Sequence, residues 1–247
     1  MISKNRLKEL AAYRLQKRCD EEAVFVVEGV KLAAEALASG FHVRTLCATA
    51  AWLEAHHDVQ GAVDEVFEVS PAELERLSNM KSPNQVWMLM ERRLESGERS
   101  AVSGEFVLAL DRIQDPGNMG TMLRTADWFG IRRVVCSRDT VSCYNPKVVQ
   151  ASMGAVFRTR VEYLDLVKWL GSSGLPVYGA TLRGEPLAAG GGPQGAAVLV
   201  IGNESMGISD EVMHCVTHPV LIPNLGGTAE SLNAAVAAGI LMWWMSS

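Results

Sequence analysis

The stretch Ala197-Val198-Leu199-Val200-Ile201 runs directly into Gly202-Asn203-Glu204-Ser205-Met206-Gly207-Ile208-Ser209. Five consecutive apolar residues with no polar alternation read as a strand buried on both faces, the kind found in parallel sheets. Val220-Leu221-Ile222-Pro223 repeats the pattern and releases Asn224-Leu225-Gly226-Gly227-Thr228. The chain then ends in a long apolar helix that opens with Glu230-Ser231-Leu232-Asn233. Buried strands that release polar, glycine-bearing loops are how an α/β protein builds a small-molecule site at the carboxyl ends of its strands.

Upstream, Phe106-Val107-Leu108-Ala109-Leu110 is another buried strand, followed by the polar turn Asp111-Arg112-Ile113-Gln114-Asp115-Pro116-Gly117-Asn118. Asn118 is the expected cap of a helix with an apolar stripe of Met119, Met122, Leu123, Ala126 and Phe129, stopped by Gly130. A strand over 133–136, a helix from Asn145-Pro146 to Ala151, a helix over 164–170 and a strand over 177–181 complete an alternating unit, hence a mostly parallel sheet covered on both faces. Gly190-Gly191-Gly192-Pro193 reads as a flexible loop.

Residues 1–92 form a smaller alternating α/β unit. It has strands at 23–27, 43–48, 66–69 and 86–90, and Ser70-Pro71-Ala72-Glu73 opens a helix with a capping box. Residues 93–104 are charged and lack an apolar period, which makes them a linker to the larger unit at 105–247. Residues 4–18 read as one amphipathic helix with Leu7, Leu10, Ala11 and Leu15 on one side. Lys4, Arg6, Lys8, Arg14, Lys17 and Arg18 flank that stripe against a single Glu9. This is either a solvated helix face or a phosphate-tracking one.

At 247 residues, 48% hydrophobic and 21% charged, the composition is that of an ordinary globular protein. A net charge of −5 argues against a generic basic nucleic-acid coat without excluding a local basic face. Five scattered cysteines without a CxxC pair imply reduced thiols and a cytoplasmic setting. No apolar run is long enough to span a membrane, and the basic N-terminus lacks the apolar core of a secretory signal.

The glycine patterns of dinucleotide and P-loop sites are absent. His214, Cys215 and His218 match no common zinc spacing, so no metal is expected. Asn203-Glu204-Ser205-Met206-Gly207 resembles a hydrolase nucleophile elbow, but Asn203 stands where a sharp elbow needs a small residue. Arg124 alone reads as a surface ion pair with Asp127 or Asp115. Ser231 and Asn233 supply two small polar residues where a helix cap needs only one.

Three blocks together carry a resemblance. Residues 111–130, residues 201–209, and Leu221-Ile222-Pro223-Asn224 continuing through Glu230-Ser231-Leu232-Asn233-Ala234-Ala235-Val236-Ala237 are similar, in order and spacing, to the three motifs of the SpoU-type (TrmH-like) RNA ribose 2′-O-methyltransferases of the SPOUT class. Residues 1 to about 90, with Lys4-Asn5 and Phe25-Val26-Val27-Glu28-Gly29, resemble the substrate-binding domain that often precedes that catalytic domain. The resemblance implies a C-terminal, trefoil-knotted, parallel-sheet SPOUT domain preceded by a small L30e-like α/β RNA-binding domain.

It further implies S-adenosyl-L-methionine as cofactor, held by Thr181, Gly202, Ile222 and Leu232, and a site completed across a homodimer. Catalytic roles fall to Arg124, Asn118, Glu204, Ser231 and Asn233, with Glu204 orienting Arg124 or the nucleotide. RNA binding falls to Lys4, Arg6, Lys8, Arg14, Lys17 and Arg18. The implied substrate is RNA, ribosomal before transfer RNA. A non-catalytic ribosome-assembly factor on the same scaffold is the competing class. Asn224, Ala235 and Gln150 depart from the family pattern, which usually has Met, Ser and a basic residue at those places.

Overall fold

The computed structural model describes residues 2–93, 105–187, 191–193 and 195–246. Of the linker expected over 93–104, all but the first residue lies outside them, as do Gly190 and residues 188, 189 and 194. The chain packs into two compact units, one of Met1–Leu94 with Tyr144–Phe157, the other of Glu95–Cys143 with Arg158–Ser247.

The elements run α1 (Lys4–Ala11), α2 (Gln16–Glu21), β1 (Val24–Glu28), α3 (Val30–Leu37), β2 (Val43–Ala48), α4 (Ala50–Ala55), β3 (Val63–Glu68), α5 (Pro71–Leu77) and β4 (Val86–Glu91). They continue as β5 (Val107–Leu110), α6 (Pro116–Trp128), β6 (Arg133–Ser137), α7 (Pro146–Ser152), α8 (Ala155–Arg158), β7 (Arg160–Leu164) and α9 (Leu166–Ser173). The last are β8 (Val177–Pro186), β9 (Val198–Ile201), α10 (Asp210–Met213), β10 (His218–Leu221) and α11 (Ala234–Met245).

In the first unit the sheet order is β1-β4-β2-β3, with β4 antiparallel to both neighbours and β2 parallel to β3. Helix α7 packs on β1, and the Phe25 ring sits 4.7 Å from Tyr144 and 5.7 Å from Phe41. Gln150 donates from Nε2 to the Glu28 carbonyl at 2.9 Å, which gives that departure from the family pattern a structural job.

The single helix expected over 4–18 is broken. A 3-10 turn at Ala12–Arg14 separates α1 from α2, and Leu15 is extended and 68% exposed. The break lets Tyr13 turn inward with Leu7, Leu10 and Cys19, its hydroxyl donating to Glu22 at 2.6 Å. An unbroken 3.6-residue period would bury Leu15 instead of Tyr13.

The second unit is a six-stranded sheet of order β10-β8-β9-β5-β6-β7, and every adjacent pair is parallel. All carboxyl ends therefore lie along one edge. Strands β5 and β9 are fully buried, as their unbroken apolar runs require. Strand β8 runs past 181 to Pro186, but its pairing with β10 jumps from Pro219↔Gly179 to Val220↔Glu185, so residues 180–184 bulge outward. Within the Gly-rich stretch a Cβ on Gly192 would lie 2.3 Å from the Trp244 carbonyl oxygen, so this glycine is packed against α11.

Candidate active site

Strand β5 delivers its chain to the carboxyl edge at Asp111, which is 2% exposed and accepts the Ser209 N–H at 2.7 Å. Arg112 follows at φ +57°. Its N–H donates to Ser137 Oγ at 2.8 Å, and its carbonyl accepts from Asn203 Nδ2 at 2.8 Å. The loops after β5, β6 and β9 are thus tied at one residue.

The cap of α6 is Asp115 rather than Asn118. Its Oδ1 accepts the Asn118 N–H at 2.7 Å, and Pro116 takes the first helical position, where no N–H is needed. Asn118, displaced into the third helical position, keeps its amide for tertiary bonds. Asn118 Nδ2 donates to Glu204 Oε1 at 3.0 Å, and Asn118 Oδ1 accepts from Asn233 Nδ2 at 2.9 Å. Asn233 is the true cap of α11. Its Oδ1 accepts the N–H groups of Ala235 and Val236 at 2.9 and 3.3 Å.

Those two backbone donors fix the direction of the whole chain of bonds. They turn the Asn233 oxygen inward, so its NH₂ must donate to Asn118. The Asn118 oxygen then accepts, and its NH₂ must donate to a carboxylate that can only accept. Glu204 Oε1 also receives the Asp115 N–H at 3.4 Å. Glu204 therefore positions Asn118 and the start of α6, not Arg124.

Arg124 is exposed and makes no hydrogen bond or ion pair among the described residues. The ion pair read from the sequence does not form. Asp127 is taken by Arg132 at 2.7 Å and Arg158 at 2.9 Å, and Asp115 by the helix it caps. Ser231 lies before α11, exposed and without a hydrogen bond among the described residues. Both groups are open to a ligand.

Gly202 is buried at the end of β9, where an added Cβ would lie 2.1 Å from Ile208 N and 2.2 Å from the Gly207 carbonyl carbon. The loop folds back through paired 2.9 Å bonds between Asn203 and Gly207, while Asn203 Oδ1 accepts the N–H groups of Ser205 and Met206. Asn203, an objection to an elbow, is what builds this turn. Ser205 is exposed, and among the described residues no histidine bonds it. Thr181 lies in the β8 bulge, its Oγ1 accepting the Arg183 N–H at 3.2 Å. Ile222 follows β10, half-buried, and Leu232 is 48% exposed. Asn224 organises the loop between them, with Oδ1 accepting from Gly226 and Gly227 and Nδ2 donating to the Gly227 carbonyl.

Among the basic residues near the N-terminus, Arg6 pairs with Glu9 at 2.9 Å and with Glu65. Arg18 pairs with Glu22 at 2.5 Å, and Lys17 approaches Glu21 at 4.0 Å. Lys4, Lys8 and Arg14 have no ion pair among the described residues. The same residues hold no cluster of three or more His, Cys, Asp or Glu able to bind a metal, and His218 instead stacks on Tyr178 at 4.6 Å.

Residues 105–243, more than half of the chain, match the SpoU rRNA methylase family. The chain belongs to that family. Residues 4–87 match the MRM3-like substrate binding domain. Among its relatives, the 23S rRNA (guanosine(2553)-2′-O)-methyltransferase RlmP of Bacillus subtilis is 29% identical, over 96% of this chain and 94% of the relative. A TrmH-family protein from Porphyromonas gingivalis superposes with a TM-score of 0.86 at 39% identity, covering 99% of this chain and 98% of that one. An AdoMet-bound rRNA methyltransferase from Sinorhizobium meliloti superposes with a TM-score of 0.84 at 30% identity, covering 99% and 95%. The parallel sheet and the substrate-binding unit are those of this SpoU family.

Proposed function

We infer that this protein is an RNA ribose 2′-O-methyltransferase that uses S-adenosylmethionine and acts on ribosomal RNA. The observation that carries the reading is the directed chain Asn233–Asn118–Glu204, which joins the three motifs, with the unpaired Arg124 six residues further along the helix that carries Asn118. The cofactor supplies a methyl group activated by the adjacent sulfonium. The residues present fit it: Gly202 lets the loop after β9 fold back on itself at the carboxyl edge of the sheet, where the loops after β8 and β10 also leave. Leu182, Leu225 and Leu232 are 68%, 94% and 48% exposed on the neighbouring loops and offer apolar surface to an adenine ring. Thr181, Gly202, Ile222 and Leu232 would hold the cofactor.

The chain's own task is to align a weak nucleophile and manage its proton. A guanidinium keeps its proton at neutral pH, so Arg124 is not a base. It grips an RNA phosphate and stabilises negative charge developing on the 2′-oxygen. Asn118, oriented by Glu204 and Asn233, hydrogen-bonds the ribose, and Ser231 binds the nucleotide from the loop before α11. Lys4, Lys8 and Arg14 track phosphates, with Arg6, Lys17 and Arg18 largely neutralised by acids. The protein works in the cytoplasm as a homodimer, with residues 1–92 as the RNA-binding domain and residues 105–247 as a trefoil-knotted catalytic domain.

The test is transfer of labelled methyl to total RNA from cells lacking the protein, followed by mapping. Label at a single ribose of ribosomal RNA is expected, abolished by a 2′-deoxy nucleotide at the target. Arg124→Ala is expected to lower turnover by about 10²–10³-fold with cofactor affinity retained. Label on a base, or on no RNA at all, would overturn the assignment.

A further inference from the structure

Arg112 carries an unexplained conformational cost. Its φ of +57° lies in the left-handed region, which a side chain with a Cβ occupies at the expense of strain and glycine occupies freely. Its backbone work does not need a side chain. The N–H bonds Ser137 Oγ and the carbonyl bonds Asn203 Nδ2, and a glycine would make both bonds.

The fold uses one edge of the guanidinium, which forms an ion pair through Nε with the buried Asp111 Oδ1. Arg112 Nε is buried with no hydrogen-bond acceptor among the described residues. The Asp111 pair, at 3.7 Å, is an ion pair without a hydrogen bond, and the other Asp111 oxygen is taken by the Ser209 N–H. The neighbouring acids are also committed: Asp115 caps α6, Glu204 holds Asn118, and Asp139 accepts from Ser137 Oγ at 2.7 Å. The side chain is 37% exposed, so its end reaches solvent.

A strained backbone that holds an always-charged guanidinium at a site's edge, its Nε without a hydrogen bond and its end in solvent, is the arrangement of a residue kept for a ligand. We propose that Arg112 is an RNA phosphate-binding residue, gripping the strand next to the nucleotide that Asn118 and Arg124 address. Its place in the fold favours RNA phosphate over the cofactor's carboxylate. It lies three residues before the α6 cap, on the loop that leads into the helix carrying Asn118, and is tied to the end of β6, where exposed Arg138 is unpaired among the described residues. The cofactor loops leave β8, β9 and β10, and Arg112 is bonded only to the β9 loop among them, through its backbone carbonyl, so cofactor affinity is the measurement that separates the two anions. The proposal rests on the methyltransferase reading for which strand is bound, but its test measures binding without turnover.

The full-length chain carrying Arg112→Gly, Arg112→Gln or Arg112→Lys is titrated with ribosomal RNA from cells lacking the protein, without cofactor and over a range of salt. S-adenosylmethionine affinity, thermal midpoint and methyl transfer are measured in parallel. Arg112→Gly is expected to leave the midpoint near that of wild type, since glycine relieves the strain while the Asp111 ion pair is lost. Both neutral variants are expected to weaken RNA binding about tenfold near 0.1 M salt and to reduce the salt slope by about one. Arg112→Lys should restore the slope with only part of the affinity, and cofactor affinity should not change.

RNA affinity and slope within twofold of wild type in both neutral variants would overturn the proposal. So would a midpoint lowered by about 4 °C or more in Arg112→Gly, which would make the guanidinium chiefly a support of the fold. Weakened cofactor binding with RNA binding intact would assign the anion to the cofactor and overturn it as well. A wild-type chain that binds RNA but transfers no methyl would sink the enzyme reading and leave Arg112 to be judged on its binding data.

Discussion

At Gly202 one methyl group decides whether the loop after β9 can close. A Cβ would run into the Gly207–Ile208 peptide, at 2.1 Å from Ile208 N and 2.5 Å from the Gly207 carbonyl oxygen, and backbone cannot rotate away as a side chain can. Gly202→Ala is therefore expected to open the Asn203–Gly207 turn, to cost about 1–3 kcal/mol of stability, and to weaken S-adenosylmethionine binding. Calorimetric titration and urea unfolding would measure both effects. Gly227→Ala is the matched control, because a Cβ there meets only the Asn224 side-chain oxygen at 3.5 Å. Equal stability losses in the two variants would refute the steric account. The glycine was visible in the sequence, but the reason for it was not. Its neighbours in space include residues six positions ahead, brought back by a turn that Asn203 builds.

The elements read well where one physical effect dominated and badly where two competed. Strands β5 and β9 are apolar throughout and buried throughout, so composition alone located them. Strand β7 was missed because Arg160 and Glu162 break its apolar run. In the sheet Glu162 is only 6% exposed, and it pairs with buried Arg133 at 2.7 Å and with Arg160 at 2.9 Å. Such compensation depends on a partner 29 residues away and leaves no local trace. The start of α6 at Asp115-Pro116 carries the same signal as the Ser70-Pro71 and Asn145-Pro146 starts, three residues before the Asn118 expected as its cap. The error hid the fact that Asn118 is free for the site.

Element β1 also carries a titration that can be checked. Glu28, 5% exposed at the strand's end, accepts from Ser78 Oγ and from the Asn79 N–H at 3.0 Å. Burial pushes its carboxyl above the usual carboxylate range, opposed by those two bonds and by Arg14. The folded state thus holds this proton more tightly than the unfolded chain. The stabilisation is complete below the unfolded pKa, near ~4.3, and is lost as pH rises through the raised folded value. Glu28→Gln does not titrate, and its amide oxygen can still accept from Asn79. Its stability relative to wild type is expected to increase from pH 4 upward and then level off. Urea unfolding across that range measures it, and a difference that shrinks with rising pH would contradict the sign.

The second unit presents apolar surface that its own core does not cover. Trp128 on α6 is 85% exposed, and Trp243 and Val236 on α11 are 62% and 52% exposed. Val236, Ile240 and Trp243 recur along one side of α11, adjacent to Gly239, which faces Thr125 of α6. Two exposed tryptophans on packed neighbouring helices are more apolar surface than a monomer ordinarily leaves in water. A second copy of the same face, related by two-fold symmetry, is the simplest cover. Arg124 lies one helical turn before Trp128 on α6, so closing this face would also remove water from around the guanidinium and strengthen its hold on charge.

The proposed homodimer would link association and catalysis through one surface. Trp128→Lys is expected to convert a particle of about twice 26.8 kDa into one of 26.8 kDa by light scattering. The far-ultraviolet spectrum should be preserved, because an exposed residue supports no core. Methyl transfer should fall on the order of 100-fold, since the substrate's alignment is lost with the partner. A wild-type chain that is monomeric at assay concentration, or a monomeric variant with full turnover, would show that the face serves something other than a second copy.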